Sequence, residues 1–379
     1  WRLPSDVSLA NCAAWSSVGE TAFDDEGEYP FSANASFTLP VSAETLFLLS
    51  RHDPHQRALL AMGHVRFVQS EEAGEEVQVA VTAHFAHQKY LDGAKACVLK
   101  QGGEESGVGL FGNDSVWPDH HEHGNKLRFD ITVTLPAPSN KSDGPLVINK
   151  LATDLQLFTQ VFGDMRGVAF RHLALKGSLG GIFAESLTAA RADVHTSLGA
   201  IEGTFNASRS LVLRTSNAPI RVAVNLSNES GDEKARPSEL WISTSNGAIN
   251  ATLALHSAHN SSAFDIAART SRGALTIAIP TAPPAAAIFL DASTSIGAAA
   301  VALPAGYEGN FDAATSLSAV TVNLREGAED PTGEGRERKV EWKVNSSRLV
   351  RGKVGWSAEG MERGWVGVRT SLAPVTLDI

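Results

Sequence analysis

The sequence lacks any segment suited to binding nucleic acid or crossing a membrane. Its net charge is −10, and no cluster of lysine and arginine interrupts that acidity, so nucleic acid and anionic membranes are poor partners. The longest apolar stretch, residues 276–290, contains three prolines and is too short and too broken to span a bilayer. Apolar residues nevertheless make up 43% of the chain, which is enough for a sizeable core.

The sequence also lacks the common catalytic motifs. It contains no nucleophile elbow, no paired-carboxylate motif and no glycine-rich loop that could cradle a phosphate. Charged residues are sparse between Asp265 and Asp312, which is the reverse of a glycosidase or polysaccharide lyase cleft. The sequence therefore predicts a protein that is not an enzyme and needs no cofactor.

The densest group of potential metal ligands is His120, His121 and His123, with Glu122 among them. Imidazoles and carboxylates at this density can bind zinc or copper. No partner ligand is evident elsewhere, and a solvated polar loop explains the same pattern. We predict no metal site, and these three histidines are the candidate ligands if one exists.

Asparagine followed two residues later by serine or threonine is over-represented in the chain. Such N-glycosylation sequons predict passage through a glycosylating secretory route and an extracellular or cell-surface location. They lie at Asn34, Asn113, Asn140, Asn206, Asn225, Asn228, Asn250, Asn260 and Asn345.

Cys12 and Cys97 are the two cysteines of the chain. In an oxidising compartment they can pair, and closing so long a loop would stabilise the fold by about 4 kcal/mol in the chain-entropy model. We predict a disulfide between them; two buried free thiols are the alternative.

A short unit, T-S-x-G-A-I, recurs through the second half of the chain. Clear copies begin at Thr196, Thr215, Thr244 and Thr270, looser ones at Thr294, Thr315 and Thr370, and a degenerate one at Gly177. Five, seven and nine residues after the threonine the chain is apolar, with polar residues between, as around Asn250 and Thr252. This alternation predicts a strand with one buried face, and it recurs before the threonine. We expect the glycine or asparagine of the corner to supply a positive φ.

One strand–corner–strand unit cannot bury its apolar face, whereas stacked units share a continuous core. The sequence therefore predicts an all-β protein built around a parallel β-solenoid with repeats of about 19–29 residues. A β-sandwich with similar turns is the alternative. The period-two alternation places the repeat threonines on the inward side or at the corner. This placement disfavours an ice-binding surface, which would need an outward array of threonines.

The repeats resemble a known pattern. TSNGAIN at 244–250 and TSLGAIEGTF at 196–205 are similar to the repeats of the putative-adhesin ("toast-rack") β-solenoid family, and to uncharacterised secreted fungal proteins that carry such repeats. The resemblance covers about residues 170–379. It implies cell-surface or extracellular placement and no agreed catalytic residues.

The chain divides into two regions in this interpretation. Residues 1–150 are strand-rich but have no T-S corner, and we expect a β-rich, sandwich-like cap. Residues 151–379 form the solenoid, with a charged insertion at about 325–365.

The architecture predicts a structural or adhesive extracellular protein. The chain ends on a strand in phase with the repeats, with Val375, Leu377 and Ile379 facing inward. An uncovered terminal coil would be an open edge, so head-to-tail assembly into filaments through this edge is a further hypothesis.

A carbohydrate-binding protein, or an enzyme acting on cell-wall or matrix glycans, is the alternative function. It requires exposed aromatic side chains. Trp241 occupies an outward position, and Trp342, Trp356 and Trp365 lie close together in or beside the insertion.

Overall fold

The computed structural model of the protein shows a nearly all-β chain. It describes residues 7–20, 29–51, 62–102, 104–112, 127–139, 144–229, 236–259, 262–325 and 327–379. The chain divides into two compact units, residues 1–188 and 189–379. The boundary predicted between residues 150 and 151 stays a prediction.

The N-terminal unit is built from mixed β-sheets and one short helix, α1 (Gln88–Asp92). Its strands are β1 (Val7–Cys12), β2 (Ser16–Glu20), β3 (Phe31–Pro40), β4 (Thr45–Arg51), β5 (Gly63–Ala73), β6 (Glu76–Phe85), β7 (Ala94–Gln101), β8 (Glu105–Gly112), β9 (Leu127–Ala137), β10 (Leu146–Asp154) and β11 (Phe158–Lys176). The strand β12 (Ile182–His195) crosses the division between the units.

Two sets of strands share the long strand β11. One runs β1-β7-β8-β4-β10-β11 and the other β2-β3-β6-β9-β5-β11, each with both parallel and antiparallel pairs. Residues 158–162 of β11 pair with β5, and residues 168–176 pair with β10. Cys12 and Cys97, on the adjacent strands β1 and β7, form the predicted disulfide.

The C-terminal unit stacks strand–corner–strand coils, as the repeat predicts. Its strands are β13 (Ile201–Arg214), β14 (Ile220–Asn228), β15 (Ser238–Ser243), β16 (Ile249–Ser257), β17 (Ala263–Arg269), β18 (Leu275–Thr281), β19 (Ala287–Ser293), β20 (Ala299–Ala302), β21 (Gly309–Thr315), β22 (Val320–Asn323), β23 (Lys339–Asn345), β24 (Leu349–Gly355), β25 (Trp365–Thr370) and β26 (Val375–Asp378). A 3-10 turn, Gly360–Glu362, precedes β25.

The coils form two ladders, which are parallel except at the hairpin noted below. One ladder runs β13-β15-β17-β19-β25-β21, and the other runs β13-β14-β16-β18-β20-β26-β22. The predicted inward positions are buried, as at Leu240, Ile242, Ile249 and Leu253, each at most 1% exposed. The parallel stacking confirms the solenoid and excludes a sandwich for this unit.

The last coil of the sequence is not the last coil in space. β25 lies between β19 and β21, and β26 lies between β20 and β22. Val375 and Leu377 are fully buried and Ile379 is 2% exposed. The prediction that Val375, Leu377 and Ile379 form an open self-assembly edge is therefore wrong, because both edges of this strand are already paired.

The predicted charged insertion contains an antiparallel hairpin, β23–β24. β24 also pairs antiparallel with β21, so the hairpin extends the first ladder at its outer end. The backbone N–H of Val320, at the start of β22, donates to the carbonyl of Ser347, between the hairpin strands.

The repeat threonines link one coil to the next inside the corners. Thr270 Oγ1 donates to the Gly247 carbonyl at 2.9 Å, and Thr294 Oγ1 donates to the Gly273 carbonyl at 3.0 Å. The same bond joins Thr370 to Gly297 and Thr315 to Ala373, which follows the spatial order of the coils and not the sequence order. All seven threonines are at most 7% exposed, so they do not form an outward array.

The corner residues do not adopt the positive φ that the sequence suggested. No glycine or asparagine of the T-S-x-G corners is among the described residues with φ in the left-handed region. Glycine is required for space: a Cβ on Gly273 would lie 1.8 Å from the Gly247 carbonyl oxygen, and one on Gly247 equally close to that of Ala218. The expectation is corrected: at Gly247, Gly273 and Gly297 the coils stack too closely for a side chain, whereas Ala218, Ser318 and Ala373 occupy the same position in other corners.

Candidate functional site

The C-terminal unit has two outward faces of opposite character. We call the outer side of β14, β16, β18, β20, β26, β22 and residues 201–207 of β13 the sequon face. The outer side of β15, β17, β19, β25, β21 and residues 210–214 of β13 is the aromatic face. Because side chains alternate along a strand, each face displays every second residue.

The outward positions of the sequon face carry alanine, small polar residues and the ion pair Glu202–Arg221, and no phenylalanine, tyrosine or tryptophan. Asn206, Asn225 and Asn250 all lie on it, and Asn250 is exposed between Arg221 and Thr276 of the neighbouring strands. Asn206 and Asn225 are register partners on adjacent strands, and Asn225 Nδ2 donates to Asn206 Oδ1 at 2.7 Å. Two glycans on asparagines one strand apart, about 4.8 Å, would collide.

Asn228 is an exception among the sequons. It lies at the buried end of β14 rather than in a connection, it is 4% exposed, and its Nδ2 donates to the Ala263 carbonyl at 2.9 Å. A glycan on this nitrogen would require that hydrogen bond to break. We therefore expect Asn228 to be a sequon that stays unmodified in the folded unit.

Two further sequons, at Asn34 and Asn345, are on other surfaces. Asn34 on β3 and Asn345 on β23 are exposed. Asn113, Asn140 and Asn260 lie outside the described residues, as do the candidate metal ligands His120, His121 and His123. Within the described ranges, no group of three or more histidine, cysteine, aspartate or glutamate side chains is arranged to hold a metal ion.

The aromatic face carries Trp241, Phe289 and Trp365 together with charged residues, and its strands contain no sequon. The guanidinium of Arg269 lies 4.8 Å from the centre of the Trp241 ring, and that of Arg369 lies 5.7 Å from Trp365. Such cation–π contacts hold each indole in place. Arg269 also pairs with Asp291 on the next strand at 2.6 Å.

The carboxylate of Asp312, like that of Asp291, is paired with arginine side chains of neighbouring strands. Arg351 Nε donates to its Oδ2 at 2.8 Å, and Arg369 approaches the same oxygen at 3.8 Å. The two carboxylates Asp291 and Asp312 are thus tied to arginines across the strands, an arrangement that positions side chains rather than leaving a free acid–base pair.

Phe289 is the most exposed aromatic side chain of this face, at 41%. Its register partner on the next strand is Trp365. The Trp365 indole lies over Gly367, where an added Cβ would be 2.4 Å from the ring. Phe289 and Trp365 are therefore neighbours in register, and we call these two side chains the apolar platform. Aromatic side chains on a strand surface suit stacking against a sugar ring.

The predicted cluster of insertion tryptophans does not form one surface. Trp356 is 5% exposed and lies beneath the guanidinium of Arg338, whereas Trp342 is 43% exposed and packs edge-on against Phe311. Sequence reasoning identified Trp241 correctly as outward but missed Phe289. Its outward position follows from the period-two phase of β19.

The N-terminal unit contains a charged cluster on β5, β6 and β9. His84 Nε2 lies 3.3 Å from Asp130 Oδ2, and Arg128 Nη2 lies 2.6 Å from His64 Nδ1. Burial alone would raise the pKa of Asp130, but the hydrogen bond from His84 and the charge of Arg128 outweigh it and hold the pKa below its usual range. These contacts stabilise the pairing of neighbouring strands.

None of the helices in the described part of the chain has the length and apolar character needed to cross a bilayer.

Comparison with known proteins adds one family and two structures. Residues 193–326 match the model of a family described as "Domain of unknown function (DUF7330)". No curated protein matches the chain. Residues 193–326 include most of the coils that form the two faces.

Two crystal structures are similar to the chain, and both bear the adhesin name that the repeats implied. One is "a putative cell adhesion protein" from Clostridium sporogenes, with 6% identity and a TM-score of 0.18 over 92% of this chain and 99% of that chain. The other is "a putative adhesin" from Bacteroides fragilis, with 10% identity and a TM-score of 0.27 over 91% of this chain and 97% of that chain. The predicted fungal source stays a prediction.

Proposed function

We propose that this protein is a secreted, N-glycosylated, non-enzymatic adhesive protein that binds cell-wall or matrix glycans through its aromatic face. The observation that carries the proposal is the segregation of the two faces. Asn206, Asn225 and Asn250 lie on one side of the coils, and the outward aromatic residues Trp241, Phe289 and Trp365 lie on the other. Glycans attached to the first side leave the second side open to a ligand.

The extracellular placement is supported by the sequons and by the disulfide between Cys12 and Cys97. Disulfides form and persist in oxidising compartments, and N-glycans are added in the secretory route.

The binding surface is supported by its composition. Phe289 and Trp365 supply an apolar platform, and Asp265 and Glu239, exposed on the neighbouring strands, supply carboxylates that can accept hydrogen bonds from sugar hydroxyls. The face is an open ladder of parallel strands, which suits an extended polymer better than an enclosed small molecule.

A glycan array and a binding assay on immobilised polysaccharides test this function. We expect the wild-type chain to bind, and Phe289→Ala to weaken binding by roughly tenfold through loss of the stacking platform. Thr252→Ala, an outward change on the sequon face, is the matched control and should bind as the wild type does. Equal loss in both variants, or binding by neither the wild type nor the variants, would contradict the proposal.

A further inference from the structure

A polar cleft of about 530 Å³ lies at the beginning of the aromatic face, where the chain turns from β14 into β15. Its lining includes Arg191, Arg209, Arg236, Glu229, Glu239 and Ser210. Glu239 is an outward residue of β15, two positions before Trp241, and its register partner on β13 is Ser210. The cleft is therefore continuous with the strand that carries Trp241.

The cleft is locally basic in an acidic protein. The whole chain has a net charge of −10, yet three arginines line this one cleft. Arg209 and Arg236 are exposed, and neither forms a salt bridge with any residue in the described ranges. Guanidinium groups bind carboxylates and sulfates with paired, directional hydrogen bonds, so these side chains suit an anionic group.

The other lining groups suit a hydroxylated ring. Ser208, Ser210 and Ser238 line the cleft. The Ser238 side chain is held in place by its hydroxyl, because Oγ lies 2.9 Å from the Ser227 carbonyl and 3.1 Å from the Ser208 carbonyl. Glu229 and Glu239 are acceptors that a sugar hydroxyl can satisfy. An acidic peptide such as poly-glutamate has no side-chain hydroxyl groups to donate to these two glutamates, so it would leave them without the donors that a sugar supplies.

We infer that this cleft binds the anionic group of an acidic polysaccharide, with Arg209 and Arg236 holding a carboxylate or sulfate while the adjoining sugars extend toward Trp241. This inference rests on the proposed function and names its ligand class. The carboxylate of a uronic acid and the sulfate of a sulfated sugar share the required chemistry.

The test measures binding of the full chain to polygalacturonate, dextran sulfate, neutral dextran and poly-glutamate by calorimetry. We expect one or both charged polysaccharides to bind, and the arm that binds identifies carboxylate or sulfate as the anion. Binding should weaken as salt rises, because the contact is between exposed charges. The double variant Arg209→Gln/Arg236→Gln should lose at least about tenfold in affinity.

Arg272→Gln provides the matched control, since Arg272 is an exposed arginine at a coil corner away from the cleft. It should bind as the wild type does, and far-ultraviolet circular dichroism establishes that all variants are folded. Unchanged binding by the double variant would overturn the inference, as would poly-glutamate binding as tightly as polygalacturonate. If the wild type binds neutral glycans in a Phe289-dependent manner but no charged one, this inference fails and the proposed function stands.

Discussion

At the scale of single residues, the corner glycines set how closely the coils stack. The repeat T-S-x-G-A-I is typical of a turn, but at Gly247, Gly273 and Gly297 the carbonyl of the neighbouring corner occupies the space that a Cβ would need. The threonine beside it satisfies that same carbonyl, as Thr270 does for Gly247. Close stacking and buried hydrogen bonding are therefore two consequences of one short motif.

Replacing Gly273 by alanine should strongly destabilise the C-terminal unit. The added Cβ would lie 1.8 Å from the Gly247 oxygen, so two coils must move apart, at a cost of roughly 3 kcal/mol. Thermal and urea unfolding of the purified variant measure this cost. Gly74→Ala is the control, because the nearest atom to its added Cβ is 3.5 Å away, and a similar loss in both variants would refute the explanation.

At the scale of elements, the terminal strand β26 acts as an interior part of the ladder. It completes the hydrogen bonding of β20 and β22 at once, and its inward side chains fill the core between those coils. The strand that ends the sequence therefore contributes to the core as a central strand does. The outer end of the first ladder is formed by β21 with the β23–β24 hairpin.

Leu377→Ala should cost about 2–5 kcal/mol, the range for truncating a fully buried leucine. Thr376→Ala, on the same strand but facing outward, should cost less than about 0.5 kcal/mol. Urea unfolding midpoints of the two variants and the wild type make the comparison. Near-equal midpoints would show that the strand lies at an open end after all.

At the scale of the whole molecule, the C-terminal unit separates the asparagines of its sequon face from the surface we propose for binding. The expected pattern of glycan attachment follows from the exposure of each asparagine. Asn34, Asn250 and Asn345 are exposed, Asn228 is buried, and Asn206 and Asn225 are adjacent.

Glycopeptide mass spectrometry of the protein secreted by a eukaryotic host should find glycans on Asn34, Asn250 and Asn345 and none on Asn228. Asn206 and Asn225 should not be modified in the same molecule, because their side chains are one strand apart. A glycan on Asn228, or on both Asn206 and Asn225 of one peptide, would show that the folded arrangement does not limit attachment.

The sequence by itself determined the all-β class, the repeat and its phase. Inward and outward positions follow from period-two alternation, so Asn250 and Trp241 were placed correctly, and the burial of the repeat threonines was expected. These features are local, because they depend only on the neighbours of a residue along its own strand. Two cysteines leave one possible pairing within the chain, but the placement of Cys12 and Cys97 on adjacent strands is what favours a disulfide over two free thiols.

Only the tertiary structure decided the order of the last coils, the reason for the corner glycines and the separation of the two faces. The strand at 375–378 has the same pattern as any other coil, so periodicity cannot tell an end position from one between β20 and β22. The platform of Phe289 and Trp365 joins residues 76 positions apart in the chain, and the cleft joins strands of three coils. Such contacts depend on which coils stack together. A repeating pattern does not specify this, because every repeat presents the same pattern of inward and outward residues.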